Sequence, residues 1–424
     1  MQVPKEFEEY TRQIMGEELY ATFSQALEAK PPVSIRLNPY APTASVPSAT
    51  PVPWSRYGYY LEERPNFTFD PLLHSGCYYV QEASSMFTEH VLRTLLHHPS
   101  PISSLPSGRL GGGLTALDLC AAPGGKSTCA LSVLPEGSTL YSNEPIRQRA
   151  QILSENLQKW QLPAAHPSSI VTNNYPRDYR KAGLMFDIIL ADVPCSGEGM
   201  FRKDEGAIRE WSPENVERCW RLQREIVSDI WPCLQPGGFL LYSTCTFNTH
   251  ENEENVRWIC EELGAEPIQV PIEDDWHITG SLLPDFQVPV YRFIPGRTRG
   301  EGLFMAVLRK VGEPLPAPLP KKGRHLETTK LNIMEPTFLN EIQEAADAPH
   351  VKTDYRQAIS YLRREAIVLP EDTPRGPVVV TFMGQSLGMA KNIGNRANNL
   401  YPKEWRIKST YIPENYEAIL RHTE

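Results

Sequence analysis

The clearest indication of the fold is a glycine-rich stretch, Leu117-Asp118-Leu119-Cys120-Ala121-Ala122-Pro123-Gly124-Gly125-Lys126-Ser127-Thr128. It begins as an apolar strand pattern, passes through a glycine-rich turn and ends as the start of a helix. Glycines let the backbone approach a ligand closely, and a helix N-terminus offers free N–H groups to negative charge. The stretch therefore predicts a ligand-binding turn in a parallel α/β sheet.

The same turn matches a phosphate-binding loop only in part. Its Gly-Gly-Lys-Ser-Thr end is correct, but Cys120 stands where the G-x-x-x-x-G-K-[ST] pattern requires its first glycine. A carboxylate-bearing or nucleoside cofactor therefore fits better than a triphosphate. About 20 residues after the turn, Glu144 ends the next strand pattern, where an acid can bond ribose hydroxyls. By itself, Glu144 could equally be a solvated carboxylate at a helix start.

Two cysteines follow two further patterns of buried strands. Cys195 ends Asp192-Val193-Pro194-Cys195 after the apolar run 186–191, and Cys245 ends Ser243-Thr244-Cys245 after the run 238–242. The carboxyl ends of parallel strands open into one crevice, so two thiols there indicate covalent catalysis. Either cysteine alone could be an ordinary buried residue. A redox pair is another interpretation, although the chain contains no C-x-x-C motif.

Composition excludes several classes of protein. The chain has 424 residues and 41% hydrophobic content, which predicts two or three domains with sizeable cores. No apolar run approaches the ~20 residues of a membrane span, and the N-terminus lacks a signal-peptide pattern. The eight cysteines show no metal-ligand spacing. They predict reduced thiols, no metal, no membrane and a cytoplasmic location.

The charge is unevenly distributed. A net charge of −9 argues against a nucleic-acid partner, but between Lys391 and Lys408 there are five basic residues and one acid, Glu404. These basic residues surround the aromatic residues Tyr401 and Trp405. The cluster predicts an RNA-binding face, with a structural cap as the alternative.

The order of patterns along the chain predicts four parts. Apolar spacing predicts a helix from Phe7 to about Lys30, ending at Pro31-Pro32. Strands and helices alternate from 114 to 309, which predicts a parallel sheet. The expected divisions are an N-terminal arm (1–105), a catalytic domain (106–310), a proline-rich linker (311–325) and a C-terminal domain (326–424).

Several motifs together resemble the Nol/Nop/Sun family of RNA cytosine-C5 methyltransferases, which use S-adenosylmethionine. The residues that carry the resemblance are 118–126, Glu144, 192–199, 243–246, 34–39 and 79–86. The stretch from Leu387 to Arg406 resembles the RsmF (YebU) branch, which modifies small-subunit ribosomal RNA. The resemblance implies an α/β fold: a Rossmann-like methyltransferase core, an N-terminal α/β arm that binds RNA, and a small β-rich, PUA-like C-terminal domain.

The resemblance also implies the role of each site residue. Cys245 is the nucleophile that adds to cytosine C6, Cys195 aids product release, Asp192 contacts the base and Lys126 is a supporting cation. Asn173 stands where the family often has an acid that binds adenine. The implied cofactor-binding residues are Cys120, Ala121, Ala122, Pro123, Gly124, Gly125, Lys126, Glu144, Asn173 and Asp192.

The predicted function is methylation of cytosine C5 in RNA through a covalent cysteine–cytosine intermediate. The expected substrate is 16S ribosomal RNA or a small-subunit particle, and the enzyme is expected to be a monomer. Transfer RNA is an alternative substrate. A non-catalytic RNA-binding assembly factor is an alternative from another class, which the complete cofactor turn and both cysteines disfavour.

Overall fold

The computed structural model describes residues 1–41, 44–97, 113–160, 167–312, 331–344, 347–394, 396–409 and 411–422. Most of the predicted linker 311–325 therefore lies outside the described residues. None of the described helices is both long and apolar enough to cross a membrane.

The N-terminal part is a small antiparallel sheet flanked by helices. Its elements are α1 (Lys5–Glu28), β1 (Val33–Leu37), β2 (Ala44–Ser45), β3 (Thr50–Pro51), β4 (Gly58–Leu61), α2 (Pro71–His74), β5 (Tyr78–Val80) and α3 (Phe87–His97). The strand order in the sheet is β3-β4-β1-β5. The predicted first helix is present and ends before Pro31. Gly16 breaks it into two segments, because its φ of +74° is not helical.

The central part alternates strands and helices around one large sheet. Its elements are β6 (Thr115–Asp118), α4 (Gly125–Leu131), β7 (Thr139–Asn143), α5 (Arg147–Lys159), β8 (Ser168–Thr172), α6 (Pro176–Ala182), β9 (Phe186–Asp192), α7 (Glu205–Glu210), α8 (Pro213–Ile230), β10 (Leu234–Thr244), α9 (Glu253–Leu263), β11 (Ala265–Pro267), β12 (Tyr291–Phe293) and β13 (Leu303–Lys310). β6 to β10 are parallel, as predicted. β13 instead runs antiparallel to β10, so the sheet is mixed.

The strand order places a crevice beside β6. Together with β14 (Ile333–Met334), the order is β11-β13-β10-β9-β6-β7-β8-β14. From β6 the chain moves to β7 and β8 on one side, and then to β9 and β10 on the other. A reversal of this kind opens a crevice at the carboxyl ends of the strands. The loops after β6, β7, β9 and β10 therefore meet at that edge.

The C-terminal part is a second small sheet of order β15-β16-β17-β18. Its elements are α10 (Thr337–Glu344), β15 (His350–Thr353), α11 (Tyr355–Leu362), β16 (Gly376–Phe382), β17 (Gln385–Asn392), β18 (Ala397–Asn399) and β19 (Arg421–His422). Apolar residues of this part, such as Tyr361 and Val380, share one core with Leu72 and Tyr78 of the N-terminal part. The chain's two ends are thus held together by buried apolar surface.

Candidate active site

The turn between β6 and α4 forms one wall of a cavity. Gly124 precedes α4 with a φ of +117°, a conformation that favours glycine. The residues that line the cavity on this side are Asp118, Cys120, Ala121, Ala122, Pro123, Gly125 and Lys126, together with Asp192 at the end of β9. The opposite wall is Tyr79-Val80-Gln81-Glu82 with Ser85. The sequence alone predicts no ligand contact for that segment, because its proximity to the turn arises only from the fold.

Two buried carboxylates at strand ends fit a ligand that donates hydrogen bonds. Asp118 is fully buried; its Oδ2 accepts from Ser127 at 2.7 Å, and its Oδ1 accepts no hydrogen bond from the described residues. Burial raises the pKa of Asp118 to about 7. Glu144 is also buried, and its Oε2 has only the exposed guanidinium of Arg149 at 3.3 Å. Unpaired buried acceptors are costly, so both fit the ammonium and hydroxyl donors of a nucleoside amino-acid cofactor.

Lys126 and Asp192 form an ion pair across the crevice. Lys126 Nζ lies 2.8 Å from Asp192 Oδ2, and Asp192 Oδ1 accepts from the Ser243 hydroxyl at 2.7 Å. Burial lowers the pKa of Lys126, but the acidic groups around it, chiefly Asp192, together more than offset this effect and the net shift is upward. Lys126 therefore stays charged at neutral pH and fixes the orientation of Asp192.

The two strand-end cysteines meet. Cys195 Sγ and Cys245 Sγ are 3.3 Å apart, and both are free thiols. A disulfide would hold the sulfurs at about 2.05 Å, so the pair is a hydrogen-bonded thiol pair. The sulfur of Cys245, followed by burial, raises the pKa of Cys195 well above its usual value.

Beneath the cysteines lies a polar network that sequence reasoning missed. Glu198 and Glu251 are fully buried, and the side-chain amide of Asn248 donates to both, at 3.0 and 2.8 Å. Glu198 also accepts from Trp211 Nε1 at 3.0 Å. Glu198 stands three residues after Cys195, and the acid-rich run 251–254 begins six residues after Cys245. That proximity was the only available signal, because acids in sequence usually indicate a solvated surface.

Asn173 lies at the end of β8 but not in the cavity wall. Its amide nitrogen donates to the carbonyl oxygens of Glu144 and Pro145, at 2.7 and 2.9 Å. The side chain thus holds the backbone that carries Glu144. An adenine contact by Asn173 therefore stays a prediction. Gly124 and Glu144, two other predicted cofactor-binding residues, are also not among the residues that line the cavity.

A larger cleft of about 1410 Å³ shares the wall Val80-Gln81-Glu82 with the first cavity. Basic side chains from four separate segments line this basic cleft and are exposed: Lys30, Arg64, Lys203, Arg297 and Arg299. Glu62, Glu63 and Glu82 also line it, but Glu82 is occupied by Ser84 and by the backbone of Ser85 and Glu301. The concentration of positive charge in a chain of net charge −9 suits a polyanion.

In the predicted basic face of the C-terminal part, the basic side chains and the aromatic side chains point in different directions. Its five basic residues, Lys391, Arg396, Lys403, Arg406 and Lys408, are exposed. The two aromatic residues instead turn inward: Tyr401 is fully buried, and the Trp405 ring packs on Phe338 with 4.7 Å between ring centroids. Tyr401 therefore cannot stack on RNA, because its ring is part of the core, whereas Trp405 is half-buried against that core.

Comparison with solved structures identifies the class of fold. A methyltransferase homolog protein from Pyrococcus horikoshii aligns with 73% of this chain and 95% of its own, at TM-score 0.58 and 24% identity. NSun6 from the same organism aligns with 73% of this chain and 99% of its own, at TM-score 0.56 and 20% identity. The fold is therefore that of a Rossmann-like methyltransferase, as the sequence predicts.

Family models and curated relatives narrow the class. Models of 16S rRNA methyltransferase RsmB/F, of the RsmF N-terminal domain and of the RsmF PUA domain match residues 112–309, 3–83 and 348–407. Ribosomal RNA small subunit methyltransferase F of Salmonella agona is 28% identical over 84% of this chain and 85% of its own length. The corresponding protein of Klebsiella pneumoniae is 29% identical over 84% of each. The chain belongs to the RsmF-type family of rRNA methyltransferases, so the predicted enzyme class and its cofactor, S-adenosylmethionine, are confirmed.

Proposed function

We propose that this protein methylates C5 of a cytosine in 16S ribosomal RNA through a covalent bond between Cys245 and the base. The observation that carries the proposal is the pair of thiols, 3.3 Å apart, at the ends of adjacent strands beside the Lys126–Asp192 ion pair. A methyltransferase acting on a good nucleophile needs no thiol. Two thiols beside the cofactor cavity support a substrate carbon that must first be activated.

The cofactor would lie against the turn 120–126. Asp118 and Glu144 would accept hydrogen bonds from its ammonium and ribose groups. Asp118 Oδ1 accepts no hydrogen bond from a described residue, and Glu144 Oε2 has only the exposed guanidinium of Arg149 near it. When bound, S-adenosylmethionine supplies an electrophilic methyl group on a positively charged sulfur. Gly125, which has no side chain, would let the backbone of the turn approach the ligand closely.

Cys245 activates the base and Cys195 aids its release. The Cys245 thiolate forms a bond to C6, and the ring electrons move to make C5 nucleophilic. After methylation, the C5 proton leaves to a base, and the C6–Sγ bond breaks with its electron pair returning to Cys245. Cys195, hydrogen-bonded to Cys245, is placed to exchange a proton during this elimination.

Asp192 and Lys126 hold the base in register. Asp192 is about one third exposed, and its carboxylate is oriented by Lys126 and by Ser243. It would accept a hydrogen bond from the cytosine amino group and so fix the position of the base. The target cytosine must leave its stack to reach this site, at a cost of a few kcal/mol.

The substrate is proposed from the family and from charge. The curated relatives are named for small-subunit ribosomal RNA, and the basic cleft adjoins the cofactor cavity, where flanking nucleotides would lie. A small-subunit particle as substrate, a monomeric state and a cytoplasmic location belong to the same proposal. Mapping 5-methylcytosine in ribosomal and transfer RNA from cells that lack this protein distinguishes the two RNA substrates.

The decisive experiment compares Cys245→Ala with Cys195→Ala in the full chain. With 16S RNA and cofactor, Cys245→Ala should form no covalent adduct and should lose methylation, because the attacking sulfur is absent. Cys195→Ala should still attack and methylate, but its release is slowed, so an adduct should survive denaturing electrophoresis. Cys260→Ala, a cysteine outside the crevice, is the matched control. Reversed behaviour would exchange the two roles, and full activity in both variants would refute covalent catalysis.

A further inference from the structure

Cys195 and Cys245 share one hydrogen bond, and either sulfur could hold the shared proton. At 3.3 Å, either sulfur of Cys195 and Cys245 can be the donor. The sulfur that gives up its proton is the nucleophile, since the thiolate is the reactive form of cysteine. The charges on the two sides of the pair therefore determine which cysteine attacks.

The Cys195 side faces a buried negative charge. Glu251 is fully buried, and its Oε2 accepts from the backbone N–H of Ser196, the residue after Cys195, at 3.0 Å. Its other hydrogen-bond donors are the side-chain amides of Gln223, at 2.6 Å, and Asn248, at 2.8 Å. All three donors are uncharged. The charge of Glu251 is thus held beneath the Cys195 loop, and no cation among the described residues forms an ion pair with it.

The Cys245 side faces a positive charge. Lys126 is largely buried and pairs with Asp192, whose other carboxylate oxygen accepts from Ser243, two residues before Cys245. Its charge therefore lies near the Cys245 loop and interacts with Cys245 as well as with Asp192. A neighbouring cation favours a thiolate and a neighbouring anion favours a thiol. The two charges therefore polarise the thiol pair in the same direction.

We propose that Glu251 is a positioning residue whose negative charge keeps the shared proton on Cys195 and so leaves Cys245 as the thiolate. The polarisation of the thiol pair does not depend on the proposed function, but its purpose, attack on cytosine by the Cys245 thiolate, rests on that function. Glu251 touches neither base nor cofactor. It acts through Cys195, and its partner Ser196 fixes the distance of that action.

Other titratable groups face Glu251 and are consistent with this role. They are Glu198 beside it, Cys195 and Cys219 above it, and Tyr242, whose hydroxyl donates to the Glu251 carbonyl oxygen at 2.6 Å. Burial, followed by the charge of Glu198, raises the pKa of Glu251 to about 7. Glu251 is therefore ionised above neutral pH and loses its charge in mild acid, where its influence on the thiols should disappear.

The test measures thiol reactivity in the full-length protein without RNA. Iodoacetamide modifies thiolates, and peptide mass spectrometry gives separate rates for Cys195 and Cys245. In the wild type at pH 8, Cys245 should react faster, and the ratio of the two rates should fall below pH 7. In Glu251→Gln the ratio at pH 8 should fall by about tenfold, which corresponds to a one-unit change in relative thiol pKa, and its dependence on pH should flatten.

Glu254→Gln is the matched control, since Glu254 is three residues away and pairs with His250 at 2.7 Å on the surface. It should leave both rates unchanged. An unchanged ratio in folded Glu251→Gln would overturn the proposal. If Glu251→Gln does not fold, Glu251→Asp withdraws the charge by one methylene group and should lower the ratio less, with an unchanged ratio again overturning it. If the rate ratio falls as expected in Glu251→Gln but the wild type does not methylate RNA, the proposed function is refuted and the role of Glu251 in setting thiol reactivity stands.

Discussion

The crevice and the basic cleft lie side by side, share the wall Val80-Gln81-Glu82, and are built in opposite ways. In the crevice, polar groups are buried and matched to particular partners, as Lys126 is to Asp192 and Ser243 to the same carboxylate. In the cleft, five basic side chains are exposed. Chemistry requires fixed groups in a dry site, whereas binding of a polyanion needs only charge at the right spacing. Single substitutions should therefore be severe in the crevice and mild in the cleft.

Glu144→Ala is the sharpest test of the crevice after the cysteine variants. Loss of hydrogen bonds to a charged group costs about 1.5–3 kcal/mol, so affinity for S-adenosylmethionine should fall roughly 10- to 150-fold by calorimetry. RNA affinity should be unaffected. Glu136→Ala, an exposed acid on the preceding loop, is the control. A folded Glu144→Ala variant with wild-type affinity would remove Glu144 from the cofactor site.

The basic cleft predicts the reverse pattern. A triple variant with Gln in place of Arg64, Lys203 and Arg297 should bind RNA more weakly but bind the cofactor normally. Each lost phosphate contact lowers the salt dependence of single-stranded binding by about 0.7, so the slope of log K against log salt should fall by about two. Fluorescence anisotropy across a salt series measures it. The control triple replaces Lys5, Lys181 and Arg209, exposed basic residues already paired within their helices. Equal slopes in the two triples would exclude the cleft as an RNA path.

The C-terminal basic residues should give the smallest effect. Gln in place of Lys403, Arg406 and Lys408 removes exposed charge without disturbing the core, and RNA affinity should fall only a few-fold. Point variants are preferable to deleting the C-terminal part, because deletion would expose the core that it shares with the N-terminal sheet. A loss larger than that of the cleft triple would make the C-terminal part the principal RNA-binding surface.

Local sequence patterns were sufficient for the elements around the crevice. The apolar run 186–191 becomes the buried strand β9, and the turn around Gly124 requires the positive φ that glycine supplies. These features depend on residues close together in the chain, where periodicity and steric preference act directly. The convergence of the two cysteine loops follows from the general geometry of parallel strands.

The tertiary structure alone decided which distant groups meet. Tyr401 and Trp405 lie among basic residues in the sequence, which is typical of an RNA-binding face. In the structure both rings pack against Phe338, because the C-terminal sheet needs apolar cover. The antiparallel return of β13 is likewise invisible to an alternating pattern of strands and helices.

Neighbouring residues in the sequence were enough to recognise the enzyme class, the glycine-rich turn and the two thiols, because the chemistry of each is carried by a short contiguous motif. Only the tertiary structure placed Glu251 beneath Cys195, Lys126 beside Cys245, and basic residues from four segments in one cleft. The reason is physical: electrostatic influence depends on distance and burial in space, and neither is encoded by separation along the chain.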